Sequence, residues 1–135
     1  MKLKLFTDGG ARNNPGPAAI GVVIYNDQDE VVKKIKKYIG MATNNIAEYE
    51  AIITGLKEAN VLGADEVVCY LDSELVVKQV KGEYKVKEQN LAEKYLQVWK
   101  LKSVFKSAEF HHIRREKNTV ADSLVNEALD EAAKS

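Results

Sequence analysis

Apolar positions in the first eight residues recur at every second place: Leu3, Leu5 and Thr7 alternate with Lys2, Lys4 and Phe6. A two-residue period predicts a strand, here ending on Asp8. Gly9-Gly10 and Asn13-Asn14-Pro15-Gly16-Pro17 follow, a run dense in turn-forming residues. The β-branched stretch Ala18 to Asn26 predicts a second strand, Asn26 to Asp29 a turn, and Glu30 to Ile39 a third strand. Short turns between successive strands imply an antiparallel meander. Lys33, Lys34, Lys36 and Lys37 crowd the third strand and suit a sheet edge guarded against aggregation.

From Thr43 the period becomes helical. Ala47, Ala51, Ile52, Leu56 and Ala59 form one stripe, with Asn44 and Asn45 as capping types and Gly63 as the stop. Val67 to Leu71 is a nearly continuous apolar run of the kind buried on both faces in a parallel strand, and Asp72 follows it directly. Ser73 to Val80 reads as a short helix and Lys81 to Lys87 as a polar connection. Leu91, Tyr95, Val98, Trp99, Lys102 and Phe105 keep a helical period, which assigns Trp99 to the core. Ala108 to Ile113 is a fifth strand, Arg114 to Thr119 a charged loop, and Val120 to Ala133 a last helix. The fourth and fifth strands are reached through helical crossovers and should run parallel to a neighbour. The expectation is one α/β domain over residues 1–135, a mixed five-stranded sheet with helices on its faces.

With 135 residues the chain can bury a full core without disulfides or metal staples. Twenty basic and twenty acidic residues leave a formal charge of zero, so no global field advertises a polyanion. One Cys and two His exclude an intrachain disulfide and a His/Cys zinc site, and any metal would have to be a hard ion held by carboxylates. The longest uncharged stretch, Asn13 to Asn26, is broken by two prolines and two glycines, so neither a signal peptide nor a membrane span is expected, and the cytoplasm is the expected location.

Four acidic residues fall at the ends of elements: Asp8 after strand one, Asp72 after strand four, Glu48 in the first turns of the first long helix, and Asp122 at the start of the last helix. Singly, each has an ordinary structural explanation, such as a turn or a helix cap. Together, clustered carboxylates would raise one another's pKa unless a cation compensates. Mg²⁺ suits such a set because it takes hard oxygens and binds along with substrate phosphates. Two such ions roughly 4 Å apart can drive in-line displacement at a phosphodiester.

Thr7-Asp8-Gly9-Gly10 with Asn14-Pro15-Gly16, Thr43-Asn44-Asn45 with Glu48, Asp72-Ser73, and Asn118 with Ala121-Asp122 resemble, in order, the four signature blocks of type 1 ribonuclease H. The resemblance implies a sheet in the order 3-2-1-4-5 with strand 2 antiparallel to the rest. It implies hydrolysis of the RNA strand of RNA/DNA hybrids with Mg²⁺, or Mn²⁺ as a substitute, leaving 5′-phosphate and 3′-hydroxyl ends. Asp8 would bridge two ions, Glu48 and Asp72 would complete one site, and Asp122 the other. Gly9, Gly10, Asn14, Asn44, Asn45 and Asn118 match substrate-binding positions. Only RNA offers a 2′-OH, so such groups can select the strand, while phosphate and sugar contacts leave sequence unread.

The chain also departs from the family's pattern. Many members carry a His in the loop before the last Asp; here that loop is Arg114-Arg115-Glu116-Lys117-Asn118. Arg115 is the expected substitute, able to hold a phosphate but not to shuttle a proton. His112 follows the strand pattern and reads as structural. The basic protrusion of some members is reduced to Lys78, Lys81, Lys85 and Lys87 around Tyr84, and Glu74 stands oddly close to Asp72. A non-catalytic hybrid-binding module and a related nuclease acting on DNA are the alternative readings. A monomer is the default expectation.

Overall fold

The structure, a computed structural model, describes residues 1–134. Its order is β1 (Lys2–Ala11), β2 (Gly16–Tyr25), β3 (Val31–Ala42), α1 (Asn44–Val61), β4 (Glu66–Leu71), α2 (Glu74–Val80), α3 (Gln89–Lys102), β5 (Ser107–His112), a 3₁₀ turn (Arg115–Lys117) and α4 (Thr119–Ala133). The five strands form one sheet in the order β3-β2-β1-β4-β5. β2 is antiparallel to β1 and β3, while β1, β4 and β5 run parallel. Among the described residues no helix is long and apolar enough to cross a membrane.

Alternation along the strands splits the core into two layers. Leu3, Leu5, Val22, Ile24, Val67, Cys69 and Leu71 face α1, α2 and α3, and meet Ile52, Leu56, Val76 and Val98 there. Fully burying each large aliphatic side chain contributes about 1.5–3 kcal/mol, so this layer dominates stability. Cys69 is fully buried, and desolvation pushes its thiol up to about 12. On the opposite face α4 lays Ala121, Leu124, Val125 and Leu129 over Ala19 and Val23. Further along that face a row of half-stacked rings runs from strand to strand: Phe6 lies 5.4 Å from Tyr25 and 4.8 Å from Tyr70, and Tyr70 lies 5.6 Å from His111.

Several boundaries differ from the sequence expectation. β1 runs three residues past Asp8, because Gly9, Gly10 and Ala11 continue to pair with β2. β3 extends to Ala42, and its lysines are pinned from both faces: Lys33 to Glu58 of α1 at 2.6 Å and Lys36 to Glu131 of α4 at 2.6 Å. Trp99 is 54% exposed rather than in the core. It follows Val98, which is buried, and one helical step of about 100° carries it off the stripe. Phe105 is buried as expected, but from the turn beyond α3. His112 is exposed, and His111 is the histidine that packs, against Tyr70.

Candidate metal centre

The last parallel pair between β1 and β4 is Thr7 with Leu71, so Asp8 and Asp72 emerge side by side where that pairing stops. Beyond Leu71 the open edge of β1 has no strand to bond, and α1 supplies acceptors instead. The Gly9 N–H donates to Glu48 Oε1 at 3.0 Å, and the Ala11 N–H donates to Asn44 Oδ1 at 2.8 Å. Two residues of strand advance about 6.7 Å and four residues of helix about 6 Å, so the i, i+2 donors of β1 match i, i+4 acceptors of α1. Contact this close requires glycine: a Cβ on Gly9 would lie 2.2 Å from both the carbonyl carbon and oxygen of Ala47. Thr43 starts α1, its Oγ1 accepting from the Ile46 N–H at 3.2 Å.

Asp122 is delivered by the same kind of contact on the other face. Asp8 pairs across the sheet with Gly21, and a Cβ on Gly21 would lie 2.2 Å from the Ala121 carbonyl oxygen. α4 therefore rests on the strand opposite Asp8, and its next residue, Asp122, interacts with the Asp8 carboxyl. Asn126 donates to the Asp122 carbonyl at 3.2 Å, one turn along α4.

Ligand oxygens of Asp8, Glu48 and Asp72 all come within 4.8 Å of one another. Asp8 and Glu48 are only 7% and 6% exposed. Burial is the main reason that Asp8 is pushed up to about 7; a hydrogen bond with Glu48 opposes the shift, while the charges of Asp72 and Asp122 add to it. Burial and the neighbouring Asp8 likewise hold Glu48 well above the ordinary carboxylate range. Glu48 Oε2 is buried without a hydrogen-bond partner. An orphaned carboxylate oxygen inside a cluster of acids fits a divalent cation, which would satisfy that oxygen and return the cluster to its ionised form.

These carboxylates line a groove of about 450 Å³, shared with Gly9, Gly10, Asn44, Asn45 and Arg115. Arg115 is exposed and reaches it from the 3₁₀ turn. Asn14 lies beside the lining: its Oδ1 accepts from the Asn44 N–H at 3.0 Å. With both amide oxygens occupied, the NH₂ groups of Asn14 and Asn44 are their remaining donors.

Asn118 needs a different role from the expected one. At 1% exposure it cannot present itself to a ligand; its Nδ2 donates to the Thr7 carbonyl at 2.9 Å and to Asp72 Oδ2 at 3.1 Å. It fixes Asp72 against β1. Glu74 is neutralised locally by Lys78 at 2.9 Å, which also contacts the Tyr84 ring, so part of the reduced basic cluster is spent within the fold. Two further lining residues, Arg12 and Asn126, carried no sequence signal beyond a turn-rich loop and an i+4 spacing from Asp122.

A family model described as reverse transcriptase-like matches residues 6–128. The bifunctional protein Rv2228c of Mycobacterium tuberculosis is 45% identical over 136 residues, covering 100% of this chain and 37% of the relative. The solved RNase H1 of the halophilic archaeon Halobacterium salinarum superposes with a TM-score of 0.95 at 37% identity, covering 97% of this chain and 99% of that one. LC11-RNase H1, solved in complex with RNA/DNA hybrid, gives 0.92 at 46% identity, covering 97% of this chain and 99% of that one. The chain belongs to the ribonuclease H1 family. Strand order and the single antiparallel strand agree with that membership. The chain spans little more than a third of the mycobacterial relatives it matches.

Proposed function

We propose that this chain hydrolyses the RNA strand of RNA/DNA hybrids, leaving 5′-phosphate and 3′-hydroxyl ends, with two divalent ions held by Asp8, Glu48, Asp72 and Asp122. The observation that carries the reading is the acidic cluster with its buried, unpartnered Glu48 oxygen. When bound, Mg²⁺, or Mn²⁺ in its place, would polarise the scissile phosphate and lower the pKa of an attacking water. Asp8 lies close to Glu48 and Asp72 and also interacts with Asp122, which suits it to serve both ions. Glu48 and Asp72 would complete one ligand set, and Asp122 would contribute to the second.

The remaining groove residues bind and orient. The Gly10 backbone is open to the groove and can approach a sugar or phosphate closely. Asn14, Asn44 and Asn45 offer amide donors suited to a 2′-hydroxyl, the one group that separates RNA from DNA. Arg115 places a permanent positive charge beside the carboxylates, where it holds a phosphate without exchanging its proton. LC11-RNase H1, an enzyme of the same family at 46% identity, has been solved with RNA/DNA hybrid, which supports the same partner for this groove.

The test uses end-labelled RNA/DNA hybrid, duplex RNA, duplex DNA and single strands, each with Mg²⁺, with Mn²⁺ and with chelator. Cutting of only the hybrid's RNA strand, lost on chelation and in Asp72→Asn, is expected. Metal-dependent cutting of duplex DNA, or near-normal turnover by Asp72→Asn, would overturn the reading.

A further inference from the structure

Glu48 is followed in α1 by Tyr49, and their side chains leave the helix about 100° apart. Glu48 reaches the carboxylate cluster. Tyr49 is fully buried on the side of α2 and α3, and its hydroxyl donates to Gln79 Oε1 at 2.8 Å. Gln79 is only 5% exposed and lies in the last turn of α2. That helix begins immediately beyond Asp72, capped by Ser73, whose Oγ accepts from the Val76 N–H at 3.3 Å. The bond thus joins the backbone that carries Glu48 to the backbone that carries Asp72. Among the described residues it is the one side-chain hydrogen bond between α1 and α2.

Packing does not ask for these polar atoms. Tyr49 belongs to the same buried apolar cluster as Val76, Val77, Val80 and Leu91, where a Phe ring would bury equally well. Burying a hydroxyl and an amide to make one bond adds little net stability over an apolar pair of the same shape. What the bond adds is direction: a tie of defined geometry between α1 and α2, which apolar packing alone does not supply. Ligand oxygens of Asp8, Glu48 and Asp72 lie within 4.8 Å of one another, and acidic groups that close repel when ionised unless a cation compensates. The remaining ties, Gly9 to Glu48 and Asn118 to Asp72, each hold one carboxylate to β1 and not the two helices to each other.

We propose that Tyr49 and Gln79 are positioning residues, whose hydrogen bond holds Glu48 and Asp72 at the separation a divalent ion requires. This rests on the carboxylate–metal reading above. The experiment titrates Mn²⁺ alone, without nucleic acid, into the parent, Tyr49→Phe, Gln79→Leu, the double variant and Glu48→Gln. Free Mn²⁺ is followed by electron paramagnetic resonance at a temperature where circular dichroism shows every variant folded. Each single variant is expected to weaken Mn²⁺ binding about ten-fold, the scale of losing an outer partner of a metal ligand. The double variant should weaken it no further, because both changes remove one bond, while recovering melting temperature lost to the orphaned partner.

Affinities within about two-fold of the parent in both single variants would overturn the proposal. So would a double variant that recovers metal affinity together with melting temperature, since the bond would then be structural only. Should Tyr49→Phe not fold, Gln79→Leu alone decides. Glu48→Gln separates the two levels: intact Mn²⁺ binding there removes the metal centre itself, whereas loss there with normal binding in both single variants removes only the positioning role.

Discussion

Two adjacent glycines should respond to alanine in opposite ways. A Cβ on Gly9 would lie 2.2 Å from the carbonyl carbon and oxygen of Ala47 and 2.5 Å from the Glu48 nitrogen, all backbone atoms that cannot rotate aside. Carbon contacts settle near 3.5 Å, so α1 must withdraw by about 1.3 Å. Such a shift breaks the 3.0 Å bond from the Gly9 N–H to Glu48. Overpacking of this kind costs up to about 3 kcal/mol, and the lost buried hydrogen bond about 1.5 kcal/mol more. Alanine returns about 1 kcal/mol by stiffening the unfolded chain. The net loss of about 3.5 kcal/mol, against an unfolding entropy of about 0.28 kcal/mol/K for a chain of this length, lowers Tm by about 12 °C. A Cβ on Gly10 would meet only Val125 Cγ1 at 3.7 Å, an ordinary contact, so Gly10→Ala should stay within about 1 kcal/mol of the parent. Thermal unfolding followed by far-ultraviolet circular dichroism measures both, in chelator and in Mn²⁺. Gly9→Ala should also lose the Mn²⁺-induced rise in Tm, because Glu48 moves with α1. A Gly9→Ala protein that melts within 3 °C of Gly10→Ala would refute the close-contact argument.

Other perturbations have equally definite outcomes. The folded Asp8 carboxyl titrates at about 7 against 3.8 ordinarily, so the folded state holds the proton more tightly than the unfolded one. The Asp8 contribution to metal-free stability is therefore most favourable below about pH 4 and declines as pH rises to about 7, by at most about 4 kcal/mol. Asp8→Asn should flatten that slope and be more stable than the parent at pH 8 in chelator; denaturant unfolding of the pair from pH 4.5 to 8 reads the difference, and parallel curves would contradict it. Asn118→Ala strips the Thr7 carbonyl and Asp72 of their shared donor, and should cost about 1–3 kcal/mol in urea melts with a marked fall in turnover. Trp99→Ala removes a ring that is 54% exposed and should cost about 1–2 kcal/mol in urea melts, well below the about 3–5 kcal/mol of a core Trp.

The element order and the acidic set were legible because they depend on local period and on residue type. Asp8, Glu48 and Asp72 do converge, and Asp122 joins them through Asp8. What escaped was contact between distant segments. Gly9 and Gly10 carry turn chemistry by composition, yet both pair with β2 as part of β1, and α1 crosses Gly9 at a distance only glycine allows. Asn118 matched a substrate-binding position, but its burial beneath Asp72 follows from a crossing of β1 and the α4 entry that no spacing encodes. Trp99 failed for a simpler reason. α3 is buried mainly at Leu91 and Val98, a stripe too narrow for a neighbour one residue away to share. The pairing of Tyr49 with Gln79 had no signal at all, since each residue suits its own helix equally well without the other.

The four carboxylates are drawn from β1, α1, the end of β4 and α4, which are spread along nearly the whole chain. α4 comes last and rests on β1, β2 and β3, the earliest strands to be made. A nascent chain that ends between His112 and Thr119 carries all five strands yet lacks the fourth acid. Detachment of α4 from a finished molecule removes the same group. The proposed nuclease centre therefore depends on the docking of α4 and is disarmed by its local fraying, so a copy with α4 undocked would leave nearby nucleic acid uncut.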